Sequence, residues 1–142
     1  MTDTVLMMGN TQELANLTGG AVKADGWFGH VNGLHTIVIQ VINFTGRIHV
    51  EASLELNPSE ADWFPVKLTD ETAYLQFPLN PMLPTGEYRS GGDTATVGVT
   101  FKINALWVRA KLDRTYISDV LFDVDRHALA MLGNVVKITL AR

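Results

Sequence analysis

Hydrophobic and polar residues alternate strictly along several stretches of the chain. In "RIHVEASLEL", residues 47–56, apolar side chains occupy every second position from Ile48 to Leu56. Successive side chains of a β-strand point to opposite faces, so this pattern predicts a half-buried strand. Similar alternation over residues 95–103 and 136–140 predicts two further strands.

Two segments flank the first run. "TIVIQVINF", residues 36–44, is apolar on both faces and rich in β-branched residues, which predicts a central strand. The short link Thr45–Gly46 predicts that this strand and the next form a hairpin. After the run, "NPSEAD", residues 57–62, contains a proline and turn-forming residues, so we expect a turn and then a strand from Trp63.

The phase of the alternation changes near Asn104. Odd-numbered positions are apolar over residues 95–103, whereas even-numbered positions are apolar from Leu106 to Leu112. One extra residue moves every later side chain to the other face, so we expect a β-bulge or a tight turn here. In the new phase, Trp107 and Arg109 face away from the apolar side.

Helical signals are few. Residues 10–20 begin with a capping asparagine and end in two glycines, and residues 125–134 begin with a capping aspartate, so each predicts a short helix. Many strands with one or two short helices predict an all-β fold, an antiparallel β-sandwich or jelly roll. We expect an N-terminal segment, residues 1–20, that serves as a docking arm, and a sandwich domain over residues 21–142. The proline- and glycine-rich residues 78–93 predict a long loop.

Composition and charge exclude several classes of function but do not assign one. The 142 residues are 46% hydrophobic and 18% charged, as in one folded domain. A net charge of -4 with scattered basic residues argues against a nucleic-acid partner. The chain has no cysteine, which excludes disulfides and thiolate chemistry. We find no signal-peptide pattern and no apolar run of membrane length, so we expect synthesis in a cytoplasm and no membrane partner.

No motif in the chain carries a recognisable reaction. The nucleophile elbow, the phosphate-binding loop and the paired-histidine zinc motif are all missing, so we predict no enzyme, no catalytic residue and no cofactor. Asp123, Asp125 and His127 alternate in "DVLFDVDRH", but a calcium loop also requires a third oxygen donor, a glycine and a closing glutamate. We therefore predict no metal site, and we interpret Asp125 as a helix cap.

Tryptophan and arginine residues are the remaining feature of the sequence that indicates a binding surface. Trp63 follows the predicted turn, and Trp107 shares its outward face with Arg109. Exposed tryptophan with arginine is typical of protein interfaces and also of surfaces that stack on sugars. A third interpretation is that the loop 78–93 of the same chain covers Trp107.

Three stretches carry a resemblance to a known group of proteins: "NFTGRIHVEASLELNPSEADWFPV", "GVTFKINALWVRAKLDR" and "GNVVKITLAR". They resemble small virion structural proteins of tailed bacteriophages, notably phages of cyanobacteria. The resemblance spans residues 43–142 and rests on strand patterns. It implies a β-sandwich in a homotrimer without enzymatic activity, located in the virion and assembled in the host cytoplasm.

Two functions are consistent with these observations. The leading hypothesis is a capsid decoration (cement) protein, which stabilises the shell by contacts with its own copies and with the major capsid protein or other virion proteins. The predicted interface residues are Trp63, Trp107, Arg109, Leu6, Met7, Leu14 and Leu17. The alternative is a carbohydrate-binding or adaptor domain of a tail or head fibre, in which Trp27, Phe28, Trp63 or Trp107 would stack on sugar rings.

Overall fold

The alternating stretches of the sequence form strands in the computed structural model of the protein. The structure describes residues 4–10, 16–30, 32–79, 85, 92–114 and 133–142. The strands among them are β1 (Thr4–Met8), β2 (Asn16–Thr18), β3 (Val22–Lys23), β4 (Leu34–Phe44), β5 (Gly46–Ser53), β6 (Phe64–Pro65), β7 (Tyr74–Phe77), β8 (Asp93–Lys102), β9 (Trp107–Asp113) and β10 (Asn134–Ala141). Two short 3-10 helices are η1 (Asp25–Phe28) and η2 (Glu60–Asp62).

These strands form two antiparallel sheets. Sheet I has the order β1-β10-β4-β8, and sheet II has the order β2-β9-β5-β6 with β3 beside β9 and β7 beside β5. The inner faces of the two sheets pack on each other through one hydrophobic core. The predicted antiparallel β-sandwich is confirmed. The jelly-roll variant of that prediction stays a prediction.

Strand β4 shows how the sequence pattern becomes a core. It lies between β10 and β8, as predicted for a central strand. Ile37, Ile39 and Val41 point into the core and are fully buried, because they occupy alternate positions of the strand. The opposite face of β4 leaves Val38 and Ile42 exposed.

The predicted hairpin between β4 and β5 is wrong. Only Thr45 separates the two strands, yet β4 belongs to sheet I and β5 to sheet II, and the two do not pair. The chain turns from one sheet to the other at Asn43, which has a positive φ of 46°, and at Gly46. A Cβ at Gly46 would lie 2.8 Å from Phe44 Cζ, so the corner requires glycine.

Arg114 fills this corner from the end of β9. Its side chain is buried and its guanidinium lies 4.9 Å from the Phe44 ring centroid. Arg114 Nε donates to the Thr45 carbonyl at 2.9 Å, and Nη2 donates to the Gly133 carbonyl at 2.6 Å. The side chain therefore ties the β4–β5 corner to the start of β10.

The end of β5 and the connection after β8 both differ from the sequence-based expectation. The alternation continues to Leu56, but β5 ends at Ser53, and Leu54 and Leu56 are 62% and 66% exposed. The phase change near Asn104 coincides with residues 103–106, which carry the chain from β8 in sheet I to β9 in sheet II. Because the two sheets face each other, both phases point into the same core.

The N-terminal segment is part of the sandwich wherever the structure describes it. Strand β1 pairs with β10, and Met7 and Met8 are buried. The predicted helix over residues 10–20 is wrong for Asn16–Thr18, which form β2, because Leu17 pairs opposite Leu112 of β9. Its role as a docking arm stays a prediction. The rest of that helix (residues 11–15), the helix predicted to start at Asp125, the acidic motif at Asp123–His127 and most of the loop 78–93 lie outside the described residues.

We predict that the Arg114→Met variant loses about 3 kcal/mol of unfolding free energy, because the partly buried carbonyls of Thr45 and Gly133 lose their donor. The measurement is urea denaturation followed by circular dichroism. Arg47→Met is the matched control, since Arg47 lies on the outer face of sheet II and should contribute less than about 1 kcal/mol. Equal losses in the two variants would contradict the role assigned to Arg114.

His35 gives a second, pH-dependent prediction. The ring is buried and stacks on Phe101 at 5.4 Å; Nδ1 donates to the Gly33 carbonyl at 2.8 Å, and Nε2 accepts from the Asp25 amide at 3.0 Å. Both ring nitrogens are therefore used by the neutral form. Burial lowers the pKa of His35 below its ordinary value of 6.5, against opposing effects of the Gly33 hydrogen bond and the Asp25 charge.

Because the folded pKa lies below the unfolded one, the unfolded chain takes up a proton first as the pH falls. The contribution of neutral His35 to the free energy of unfolding should thus be complete above pH 6.5. It should decrease as the pH drops from there toward the folded pKa of His35. Urea denaturation between pH 7.5 and pH 5 measures this slope. His35→Gln should flatten it, leaving the part due to His49, whose pKa burial also lowers. An unchanged slope in that variant would disprove the assignment.

Candidate interaction surface

Strand β9 places its large polar and aromatic side chains on the outer face of sheet II. Val108, Ala110 and Leu112 are buried in the core, so Trp107 and Arg109 lie on the other side of the strand. This is the phase that the sequence predicts. Their surroundings differ, however, and the two residues belong to separate clusters.

Arg109 is held by contacts within its own chain. Its Nε donates to Glu51 Oε1 at 2.8 Å, and its two Nη atoms donate to the Glu60 carboxylate at 3.2 and 3.0 Å. The guanidinium also lies 4.3 Å from the Trp63 ring centroid. The hydrogen bond between Arg109 and Glu60 lowers the pKa of Glu60 and raises the pKa of Arg109. Although Arg109 points outward, it is only 7% exposed.

The sequence "NPSEAD" explains where Glu60 comes from. The Ser59 amide and hydroxyl donate to the Asp62 carboxylate at 2.7 and 2.9 Å, which closes the single turn of η2. The turn presents Glu60 to Arg109 and leads directly into Trp63 and β6. The predicted turn over residues 57–62 thus builds the acidic and aromatic partners of Arg109.

A second cluster, which we call the aromatic surface, lies at one end of sheet II. Trp27 and Trp107 rings have centroids 5.0 Å apart, and Trp107 Nε1 donates to the Leu56 carbonyl at 3.2 Å. Its members are large apolar side chains that stay wholly or partly exposed: Trp27, Phe28, Leu54, Leu56 and Trp107.

Backbone contacts fix η1, the helix that carries Trp27 and Phe28 of this surface. The amides of Ala24 and Gly26 donate to the carbonyls of Leu106 and Ala105 at 2.8 and 3.0 Å. A Cβ at Gly26 would lie 2.5 Å from the Ala105 carbonyl oxygen, so this approach requires glycine. The buried Asp25 carboxylate contacts His30 Nδ1 at 2.5 Å. The helix is therefore attached through its backbone to the connection between β8 and β9.

Two cations border the aromatic surface. Lys23 Nζ lies 4.6 Å from the Trp27 ring centroid, and the Arg142 guanidinium lies 4.9 Å from the Phe28 ring centroid. Arg142 Nη1 also donates to the Lys23 backbone carbonyl at 2.8 Å, which ties the Arg142 side chain to β3. The same end of sheet II also carries the exposed Glu55, between Leu54 and Leu56.

A polar groove of about 340 Å³ lies farther along the outer face of sheet II. Leu17, Thr18, Lys111 and Asp113 are among the residues that line it. His49 also faces this groove, with Nε2 at 3.5 Å from the Asp113 carboxylate. Burial lowers the pKa of His49, although Asp113 acts in the opposite direction. The groove combines charges of both signs without concentrating either.

Within the described ranges, no group of three or more histidine, aspartate or glutamate side chains is placed to hold a metal ion. Helices in the same part of the chain are all too short to cross a bilayer. Two carboxylates on this side of sheet II are engaged locally: Glu51 of β5 accepts from Arg109, and Asp62 closes η2.

The predicted interface residues do not form one surface. Trp63 and Arg109 meet in the salt-bridged cluster, whereas Trp107 pairs with Trp27 and Leu17 lines the polar groove. Leu6 is 55% exposed on sheet I, Met7 is buried in the core, and Leu14 lies outside the described residues. The sequence-based assignment to subunit contacts stays a prediction for each of them.

Sequence reasoning missed part of the aromatic surface. Leu54 and Leu56 continue the alternation of β5, so the pattern indicated burial where the structure shows exposure. The contact between Trp27 and Trp107 joins residues eighty positions apart and leaves no local signal. The adjacent Trp27 and Phe28 are the local signal for this end of the molecule, and the carbohydrate hypothesis drawn from the sequence names both.

Comparison with protein-family models, with curated proteins and with solved structures finds no match to this chain. The resemblance to phage virion proteins therefore stays a prediction.

We predict that Gly26→Ala moves η1 away from Ala105 and separates the Trp27 and Trp107 rings, because the added methyl group would meet the Ala105 carbonyl. The near-ultraviolet circular dichroism of the tryptophans should weaken, and acrylamide should quench their fluorescence more strongly. Gly20→Ala is the control, since a Cβ there meets no atom within 4 Å. Identical spectra for the wild type and Gly26→Ala would contradict this account of η1.

Proposed function

We propose that this chain is a non-enzymatic structural protein that docks onto a partner protein of a larger assembly through the aromatic surface. The observation that carries the proposal is the ring contact between Trp27 and Trp107 at one end of sheet II. Trp107 also donates to the Leu56 carbonyl there, and Phe28, Leu54 and Leu56, which adjoin these residues in the chain or in the sheet, are exposed. Contiguous exposed apolar side chains are rare on monomeric proteins and mark interaction sites.

The construction of the surface supports a docking role. The backbone contacts to Ala105 and Leu106 and the buried Asp25 hold Trp27 and Phe28 in place before any partner arrives. A surface that is ordered in advance loses less conformational entropy on binding. Tryptophan side chains in such positions supply a large share of the binding energy in protein interfaces.

The cations at its border indicate the charge of the partner. Lys23 Nζ lies over the Trp27 ring and the Arg142 guanidinium lies over the Phe28 ring, where a carboxylate of the partner could pair with them. Rim charges of this kind raise the rate of association and select among partners. The favoured partner is therefore a protein surface with an apolar centre and acidic groups around it.

The resemblance of residues 43–142 to phage virion proteins suggests which assembly this is. In that setting the chain is a capsid decoration (cement) protein, its partner is the major capsid protein or another virion protein, and its location is the virion. The homotrimer implied by the same resemblance stays a prediction.

Carbohydrate binding by a fibre domain is the second candidate, and the exposed rings of Trp27 and Phe28 favour it. Stacking on a sugar needs an open ring face. The Trp27 ring already has Lys23 Nζ at 4.6 Å and Trp107 at 5.0 Å, and the Phe28 ring has Arg142 at 4.9 Å. These neighbours make protein docking the better-supported function.

Cosedimentation with purified capsids of tailed phages tests the proposal. We expect Trp27→Ala and Trp107→Ala each to weaken binding by about 30-fold, the effect of losing an interface hot spot. Ile42→Thr is the matched control, because Ile42 is an exposed apolar residue on sheet I that lies outside the aromatic surface.

Equal binding by the two tryptophan variants and the control would contradict docking through this surface. A glycan array run with the same variants tests the alternative. Binding there that depends on Trp27, without binding to capsids, would make carbohydrate recognition the better assignment.

A further inference from the structure

In the part of the chain that the structure describes, strand β8 is an edge of sheet I without the usual protection of an edge strand. It spans ten residues, and β4 is its only partner strand among the residues that the structure describes. Natural edges are blunted by charges, proline, bulges or short length. Between Thr94 and Phe101 the strand has no charge and no proline. By contrast β1, the other edge of this sheet, spans only five residues.

The register of β8 identifies the backbone groups on its open side. Ile103 N donates to the Gly33 carbonyl, in line with the pairing of Leu34 with Lys102. Bonding residues alternate along an antiparallel ladder, so the odd-numbered residues of β8 face β4. The N–H and C=O groups of Thr96, Gly98 and Thr100 consequently point away from the sheet.

The sequence of this edge is symmetric. Residues 96–100 read Thr-Val-Gly-Val-Thr, so the side chains repeat in reverse order about Gly98. A strand that pairs antiparallel with its own copy across a two-fold axis needs such self-complementarity. With the axis at Gly98, Thr96 lies opposite Thr100 of the copy, and Val97 lies opposite Val99.

We propose that two copies of this chain associate by antiparallel pairing of their β8 strands about a two-fold axis at Gly98. Every open-edge backbone group of residues 96–100 then meets a complementary group of the copy, because even-numbered residues oppose even-numbered ones. Sheet I continues into its copy as one eight-stranded sheet, twice the four strands that it has alone. The occupant of the edge is a second copy of this chain.

Side chains and charges support the same arrangement. Val97 and Val99 point toward the core but are only half-buried at the edge, so cross-strand contact with the copy covers them further. The ends of β8 carry opposite charges, Asp93 and Lys102, and antiparallel pairing brings unlike charges to the same end. Residues 65–70 and residues 100–103, at the C-terminal end of β8, line a groove of about 500 Å³.

Light scattering of the full chain gives the first test. The expected mass is twice that of the 15.6 kDa chain, and a monomer at all concentrations or a stable trimer would overturn the proposal. This outcome is independent of the docking function, because Trp27 and Trp107 are not part of β8.

Disulfide trapping tests the position of the axis, and the absence of native cysteines makes it unambiguous. In the proposed pairing, two copies of Gly98→Cys have Cα atoms about 5.5 Å apart, within disulfide range. A Cβ at Gly98 meets only the Ile37 carbonyl at 4.0 Å, so the substitution fits. Thr94→Cys is the control, since its two copies would lie about 27 Å apart. Cross-linking of both variants to the same extent, or of neither, would overturn the register.

A pair of double variants tests the same register by charge. T96K/T100K places lysine opposite lysine in the copy and should abolish the dimer, because like charges directly across a strand pair repel. T96K/T100E changes the same positions but places lysine opposite glutamate, so it should retain the dimer. Far-ultraviolet circular dichroism verifies that both fold. Dissociation of both double variants alike would contradict the pairing of Thr96 with Thr100.

Discussion

The sandwich depends on one buried arginine at the corner where the chain passes between its sheets. Arg114 donates to the carbonyls of Thr45 and Gly133, so it joins the β4–β5 corner of the fold to the beginning of β10. It also lies against Phe44, whose ring contacts Phe77 at 5.4 Å in the core. Without this donor, the two partly buried carbonyl groups would have to turn toward water or remain unpaired, and either change would open the corner.

The corner decides the topology of the whole molecule. A tight link between two strands ordinarily gives a hairpin, in which β4 and β5 would be neighbours in one sheet. Here Asn43 and Gly46 turn the chain so that β5 crosses to sheet II, and the side chains of both strands still reach the shared core. The two sheets are therefore covalently joined by almost no loop, and Arg114 supplies the polar contacts that such a short link cannot supply itself.

Features that depend on neighbouring residues could be predicted from the sequence, whereas features that depend on contacts between distant residues could not. Alternation located β5, β8 and β9, because the residues of each strand by themselves show which of its faces is buried. It could not distinguish a hairpin from a corner, since that choice depends on Arg114, nearly seventy residues away from Thr45. Nor could it predict the aromatic surface, where alternation beyond Ser53 suggested that Leu54 and Leu56 are buried. The antiparallel sandwich followed from local patterns, whereas the candidate site is a product of tertiary contacts.

The aromatic surface and the β8 edge use different chemistry, side-chain packing in one and backbone pairing in the other, but they share one structural support. The connection at residues 103–106 continues from β8, holds η1 through Ala105 and Leu106, and leads into Trp107. Pairing of two copies through β8 would thus fix the orientation of two aromatic surfaces relative to each other. A rigid pair of identical surfaces binds a repetitive partner with higher avidity than a single copy, by a factor of about a hundred or more when the spacings match. Such a gain requires a partner surface that repeats, which is the property of a shell built from many identical subunits.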